Sequence, residues 1–391
     1  MGRRYCIFAA THLPNLGGLE RYTLNLAQQL IRAGNEVTVV TNNIFGLASE
    51  ETEDGVRVIR FPCFNILKGR FPVYRPCAES RRLWRILDGQ QFDFMIIQAR
   101  FYVHSAIAAR YADRRGIPHI LIEHGTAHFT VNNGLLDRAG HRYEHFITRR
   151  VKRHCRHFYG VSEDCCRWLT HFGIRPEGVL YNAIDPEEIR RAADSCGEDY
   201  RAAYAPGGET VVCYAGRLVL EKGIRKLTGA VEKLNAEGVP TVLLIAGDGN
   251  LYDEIRQTEK KGVVPLGRLD FAHVAALYKS SDVFCLPTDY AEGFPTSVLE
   301  AAACGCFVVT TTNGGSKELI LDDSYGVILE ENTVETLAAA IRKAAEEPAW
   351  RKAAAQKAYG RLTAHFTWEK ISAQVMEIAE KLIAAEGEAR P

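Results

Sequence analysis

Four charged residues stand at spacings that suit a charged, hydroxylated ligand. Arg217 and Lys222 lie in Ala215-Gly-Arg-Leu-Val-Leu-Glu-Lys-Gly223, just past an apolar run. Two cations at the mouth of a parallel sheet clamp a diphosphate and stabilise charge on a leaving group; the bland reading is a pair of solvated loop cations. Glu292 and Glu300 bracket Glu292-Gly-Phe-Pro-Thr-Ser-Val-Leu-Glu300. Eight residues of continuous helix span about 12 Å. With a loop between them, both carboxylates can face one extended polyhydroxylated ligand through charge-assisted hydrogen bonds. Weaker signals are the glycine pair in Asn15-Leu-Gly-Gly-Leu-Glu20 and His124 in Glu123-His-Gly-Thr126. Gly17 and Gly18 let backbone approach a ligand at a helix start, where exposed N–H groups favour phosphate. The glycine pair is equally compatible with an ordinary turn, and a lone histidine is more often structural than functional. His141-Arg-Tyr-Glu-His145 matches the H-x-x-E-H spacing of zinc peptidases, but its surroundings are wrong for that chemistry and the match is read as chance.

The elements that must position these residues alternate. Strands are expected at Tyr5–Ala10, Glu36–Thr41, Val56–Phe61, Phe92–Gln98, His119–Glu123, His157–Val161 and Val179–Tyr181. A first helix over Glu20–Ala33 carries Leu24, Leu26, Ala27, Leu30 and Ile31 on one face and stops at Gly34. The pattern weakens between Asn182 and Gly208, read as the join between two domains. It resumes with strands at Thr210–Ala215, Thr241–Ala246, Val263–Pro265, Val283–Leu286, Phe307–Thr310 and Gly326–Leu329 before an Ala-rich helical tail. Near-continuous apolar strands alternating with helices mean parallel sheets covered on both faces. The fold class is therefore α/β, with two doubly wound domains in tandem that bind ligands at the carboxyl ends of their strands.

The chain has 391 residues, 48 basic and 48 acidic, so its formal net charge is zero; 47% of residues are hydrophobic and 25% charged. This is the composition of a globular protein, and the balance argues against a nucleic-acid binder. No apolar run is long enough to span a membrane, and the N-terminal apolar stretch is too short for a signal peptide. The 11 cysteines, without a C-x-x-C pair, read as reduced thiols of a cytoplasmic protein. Residues 1–185 hold 25 basic and 17 acidic side chains, or +8, and the remainder 23 and 31, or −8.

Taken in order, these motifs resemble the retaining glycosyltransferases of family 4, which have the GT-B fold. The resemblance rests on the Gly17-Gly18 loop, His124, Val161-Ser-Glu163, Asn182-Ala-Ile-Asp185, Arg217 and Lys222. It continues through Ala246-Gly-Asp-Gly249, Ser281-Asp-Val-Phe-Cys-Leu-Pro287, and Glu292 with Glu300 at the family's E-x7-E spacing. Ala183 departs from the family's usual glycine. The resemblance implies two Rossmann-like domains facing across a cleft. Residues 1–185 would form the acceptor side and 186–371 the nucleotide-sugar side, with a helix from about 372 to 391 packing back on the first.

It also implies roles. Arg217 and Lys222 would hold the donor diphosphate, Glu292 the sugar hydroxyls and Glu300 the ribose. The backbone of Gly293 and Phe294, followed by Pro295 and Thr296, would approach the sugar and phosphate, with Gly216 lining the site. Gly17 and Gly18 would close on the diphosphate, and His124 would sit beside the transferred sugar. The reaction is expected to move a hexose or N-acetylhexosamine from a nucleotide-diphosphate sugar, UDP first and GDP second, to a glycan or lipid-linked acceptor of the cell envelope. No Asp-x-Asp triplet is present, so neither cofactor nor metal is expected, the cations serving instead. A nucleotide-sugar hydrolase or epimerase, or a non-catalytic binding module, are the competing readings. Cations interleaved with Phe71, Tyr74 and Trp84 over Lys68–Arg85, and a second cluster over Arg149–Arg156, suggest peripheral attachment to an anionic membrane.

Overall fold

The structure is a computed structural model that describes residues 2–15, 17–66, 69–130, 133–257 and 260–389. It divides into two compact units, 1–182 with 368–391, and 183–367. The divisions fall a few residues before the expected 185/186 and 371/372.

The first unit runs β1 (Arg4–Phe8), α1 (Gly18–Arg32), β2 (Glu36–Asn43), β3 (Glu50–Glu53), β4 (Val56–Ile66), β5 (Phe71–Tyr74), α2 (Ala78–Asp88) and β6 (Phe94–Gln98). It continues α3 (Val103–Arg115), β7 (His119–Glu123), α4 (Gly134–Lys152), β8 (His157–Gly160), α5 (Glu163–His171) and β9 (Gly178–Val179). Among the described residues its strands lie in the order β3-β4-β2-β1-β6-β7-β8-β9, with β5 paired to β4. The central strands are buried along nearly their whole length, as apolar runs between two helical layers must be. The antiparallel β3 and β5 were not foreseen. Glu50-Glu-Thr-Glu53 is too acidic to announce a strand, and it pairs because Arg57, Arg60 and Arg82 neutralise Glu50 and Glu51.

β5 also corrects the reading of Phe71, Tyr74 and Trp84. Phe71 packs among Phe101, Tyr102, Phe129 and Tyr143. Trp84 Nε1 donates to Tyr74 Oη at 3.1 Å, and its ring lies against Phe61 and Tyr111. These aromatics serve the core. Arg82 is held by Glu79 and Glu50. Lys68 lies outside the described residues.

The second unit runs α6 (Pro186–Cys196), α7 (Tyr200–Tyr204), β10 (Thr210–Ala215), α8 (Ile224–Ala236), β11 (Thr241–Ala246), α9 (Tyr252–Gln257), β12 (Val263–Gly267) and α10 (Phe271–Lys279). Then come β13 (Val283–Leu286), α11 (Thr296–Ala303), β14 (Phe307–Thr311), α12 (Ser316–Leu319), β15 (Val327–Leu329), α13 (Val334–Glu346) and α14 (Pro348–His365). Its parallel sheet has the order β12-β11-β10-β13-β14-β15. This is the Rossmann order, with the topological switch between β10 and β13. The last helix, α15 (Trp368–Ala389), belongs to the first unit. Trp368, Ile371, Val375 and Ala379 form its buried stripe; Trp368 meets Tyr22 edge-on, and Arg3 grips Glu380 through two bonds of 2.7 and 2.6 Å.

Candidate donor-sugar site

The switch point decides which loops can form a site, because the loops after β10 and β13 leave their strands in opposite directions and open a crevice between them. The first loop carries Gly216, Arg217 and Lys222, and the second carries Glu292. The structure joins them: Lys222 Nζ forms an ion pair with Glu292 Oε1, both side chains being mostly buried. Arg217 and Lys222 both lie over the Tyr290 ring, at 5.9 and 5.5 Å. Thr288 Oγ1 donates to Glu292 Oε1 at 3.2 Å and accepts from Tyr290 N at 3.0 Å, so this buried threonine sets the direction of the carboxylate. No sequence signal singled out Thr288 or Tyr290.

Glycines make the loop packing possible. A Cβ on Gly247 would lie 1.9 Å from Gly216 O, and one on Gly249 2.4 Å from Leu218 O. Ala246-Gly-Asp-Gly249 is thereby a support beneath the Arg217 turn, with Leu218 N donating to Asp248 O at 2.9 Å. Gly223 at φ +72 lies against Pro287 O, which binds the two switch-point loops to each other. Behind Glu292, Gly314 at φ +77 leaves room for its backbone, and Gly315 N donates to Gly293 O.

α11 starts at Thr296 behind Pro295, with no side-chain cap and no acid in its first turn. The positive end of its dipole is left for an anion. Phe294 is buried edge-on against Phe366, which fixes the backbone of Gly293 and Phe294 at the helix entrance. Glu300 is buried one turn further on, and Tyr278 Oη donates to its Oε2 at 3.4 Å. Burial and this carboxylate hold the Tyr278 phenol well above its ordinary range, so it stays a donor.

His124, Gly17 and Gly18 belong to the first unit. His124 Nε2 lies 2.6 Å from Gln98 Oε1; an amide oxygen accepts, so Nε2 carries the proton. The ring stands edge-on to Tyr22, and burial pushes its pKa down to about 3. The loop bearing it is fixed by Glu123, which accepts from the backbone N of His124 and Gly125 and pairs with the buried Arg100. Gln98, Arg100 and Glu123 carried no sequence signal. Gly17 lies close to Glu20, which takes a bond from Asn15 Nδ2 at 2.5 Å, whereas a Cβ on Gly18 would enter open space.

The remaining motifs are structural. Ser162 caps α5 and Asp185 caps α6. Asp282 accepts from Val211 N and pairs with Arg201 and Arg351. Ala183 has no positive φ, so the absent glycine costs nothing there.

A Rossmann unit with cations, carboxylate and an open helix N-terminus at its switch point defines a nucleotide-binding class. The comparisons name the family. Residues 16–188 match the model "Glycosyltransferase Family 4", and residues 198–361 the model "Glycosyl transferases group 1". The chain is a glycosyltransferase of the family 4 type, with the GT-B fold. It is 23% identical to an uncharacterized glycosyltransferase of Methanocaldococcus jannaschii, over 96% of this chain and 98% of the relative. It is 27% identical to a glycogen synthase of Mycobacterium tuberculosis, over 96% and 93%. Among solved structures it is similar to a sucrose-phosphate synthase from Thermosynechococcus elongatus (TM-score 0.75, 18% identity, 98% of this chain and 100% of that one). It is also similar to Anabaena HepE in complex with UDP-glucose (TM-score 0.72, 17% identity, 98% and 100%).

Proposed function

We propose that this glycosyltransferase moves a hexose or N-acetylhexosamine from a nucleotide-diphosphate sugar, UDP-linked first, to a glycan or lipid-linked acceptor of the cell envelope, with retention at the anomeric carbon. The observation that carries this reading is the meeting of Arg217, Lys222 and Glu292 at the switch point. Arg217 and Lys222 neutralise the diphosphate as the glycosidic bond breaks, together with the α11 N-terminus. Glu292, oriented by Lys222 and Thr288, takes hydroxyl donors of the sugar. Glu300 takes the ribose hydroxyls. No metal is needed where two side-chain cations stand at the leaving group. Attack comes from the face the diphosphate leaves, and the departing phosphate oxygen receives the acceptor's proton. His124, neutral and tethered to Gln98, positions the sugar rather than transferring a proton.

The test is a thermal-shift screen of UDP- and GDP-sugars followed by NDP release with and without acceptor. A ligand at 100 times its dissociation constant adds about 2.7 kcal/mol. Acceptor-dependent NDP release is the expected outcome. Release of free or epimerised sugar without acceptor points to the hydrolase or epimerase reading, and binding without turnover to a non-catalytic module.

Peripheral attachment to an anionic bilayer, on the cytoplasmic face, is proposed through a different surface from Lys68–Arg85. Phe45 and Leu47 follow β2, Phe64 and Ile66 end β4, and Leu135 and Leu136 open the helix after β7; all six are exposed, Leu135 to 77%. These parallel strands end at one rim of the sheet, and Arg70, Arg138 and Arg142 are exposed in the segments that follow β4 and β7. Apolar residues that penetrate, with cations beside them, are what an anionic interface selects. Among the described residues no helix is long and apolar enough to cross a membrane.

A further inference from the structure

Glycosyl transfer leaves the His141-Arg-Tyr-Glu-His145 motif unused, and the structure does not assemble it as a peptidase would. Glu144 turns into the protein, 2% exposed, where it accepts from Phe129 N at 2.7 Å and pairs with Arg100 at 3.2 Å. His145 faces two histidines from other elements, His128 of the loop after β7 and His171 at the end of α5. One ring nitrogen from each of the three lies within 4.8 Å of the others. His141 stacks on His128 at 4.0 Å between ring centroids.

We propose that His128, His145 and His171 form a binding site for a transition-metal dication of the Zn2+ class, in the first unit and independent of the donor site. Three imidazoles with a fourth position open to water is an established zinc ligand set. The second observation lies behind the ligands. His128 Nδ1 is 3.1 Å from Glu144 Oε2, so the buried carboxylate takes the Nδ1 proton and leaves the Nε2 lone pair for a metal. A ligating histidine characteristically donates its other N–H to a carboxylate in this way. Arg100, between Glu144 and Glu123 and stacked 3.6 Å from the Phe172 ring, holds that carboxylate still.

Tetrahedral coordination at 2.0–2.1 Å requires nitrogens about 3.3 Å apart, which rotation of His145 and the exposed His171 supplies. Aromatic packing with Trp168 and Phe172 accounts for the rings but not for three basic nitrogens turned toward one point. A bound metal would tie the loop that begins at His124 to α4 and α5.

The experiment is calorimetric titration of tag-free, chelator-treated full-length protein with ZnCl2, alongside Co2+ absorption spectroscopy. One equivalent should bind, with cobalt ligand-field bands and no thiolate charge-transfer band, which excludes the 11 cysteines as ligands. His171 is exposed, so His171→Ala folds, and it should weaken Zn2+ at least tenfold; His128→Ala should do the same, and His154→Ala should not. Trp168, stacked on His171 at 4.8 Å, should lose fluorescence on Cu2+ addition in the wild type and not in His171→Ala. Unchanged Zn2+ affinity in folded His171→Ala, or a thiolate band that persists in it, would overturn the proposal.

Discussion

Lys222 and Glu292 form one unit, which makes their substitutions unequal. Arg217→Ala removes one of the two cations proposed to hold the leaving group and should lower kcat about 10²–10³-fold, as loss of one oxyanion donor does. Lys222→Ala removes a cation and also strands the Glu292 carboxylate, so its loss should be at least as large. Near-normal turnover in both variants would refute the assignment; EDTA should leave turnover intact, and a rate abolished by EDTA and restored by magnesium would refute metal independence. Glu292→Gln should fall mainly on kcat and Glu300→Gln mainly on donor KM, because the proposed function sets the first against the reacting sugar and the second against the ribose. Equal effects on both parameters would contradict this division. His124, held down to about 3, is neutral through the working range. The acid limb of the kcat/KM profile should therefore stay in place in His124→Gln, and its disappearance would restore an acid–base role. The charged residues were legible because their spacing is chemical. Thr288, Gln98 and Glu123 were not, because a threonine, a glutamine or an acid at a strand end is ordinary until its partner is seen.

The switch-point loops are held by backbone approach, and this gives the element-scale prediction. Gly247→Ala drives a Cβ onto Gly216 O and should displace the turn bearing Arg217. Donor binding should weaken more than tenfold while far-ultraviolet circular dichroism is unchanged; Gly360→Ala, in the open interior of α14, should be neutral or slightly stabilising. Normal donor affinity in Gly247→Ala would show that the loop does not depend on this support. Strand positions were readable wherever both faces are buried: His119–Glu123, Thr210–Ala215, Thr241–Ala246 and Val283–Leu286 fall where the apolar runs put them. β3 and β5 were not, since Glu50–Glu53 is acidic and Phe71–Tyr74 is four residues long with Pro72 inside it, a residue that argues against a strand. Vesicle flotation tests the surface that follows. Leu135→Ser with Leu136→Ser should release the protein from anionic vesicles, whereas substitution of Arg81, Arg82 and Arg85 by Ser should not; the opposite result would return the contact to α2.

Across the whole chain, buried histidines set the acid limit of stability. Burial lowers His12 and His104 to about 4 and His124 to about 3. Above about pH 6.5 they are neutral in both the native and the unfolded states. Below it the unfolded chain takes up protons the native chain refuses, so stability falls as pH falls toward 4. Each costs about 1–2 kcal/mol by about pH 5. Urea midpoints should drop between pH 7 and 5, and His104→Gln should flatten that drop; an unchanged slope would show that these groups are not responsible. The sequence by itself determined the two α/β repeats and the charged motifs of the candidate site, because hydrophobic periodicity and charged motifs are local properties of the chain. Tertiary structure alone decided that Lys222 pairs with Glu292, that Phe71, Tyr74 and Trp84 face inward, and that His128, His145 and His171 meet. Each of these brings together residues far apart in the chain, and only packing of the whole unit fixes such distances.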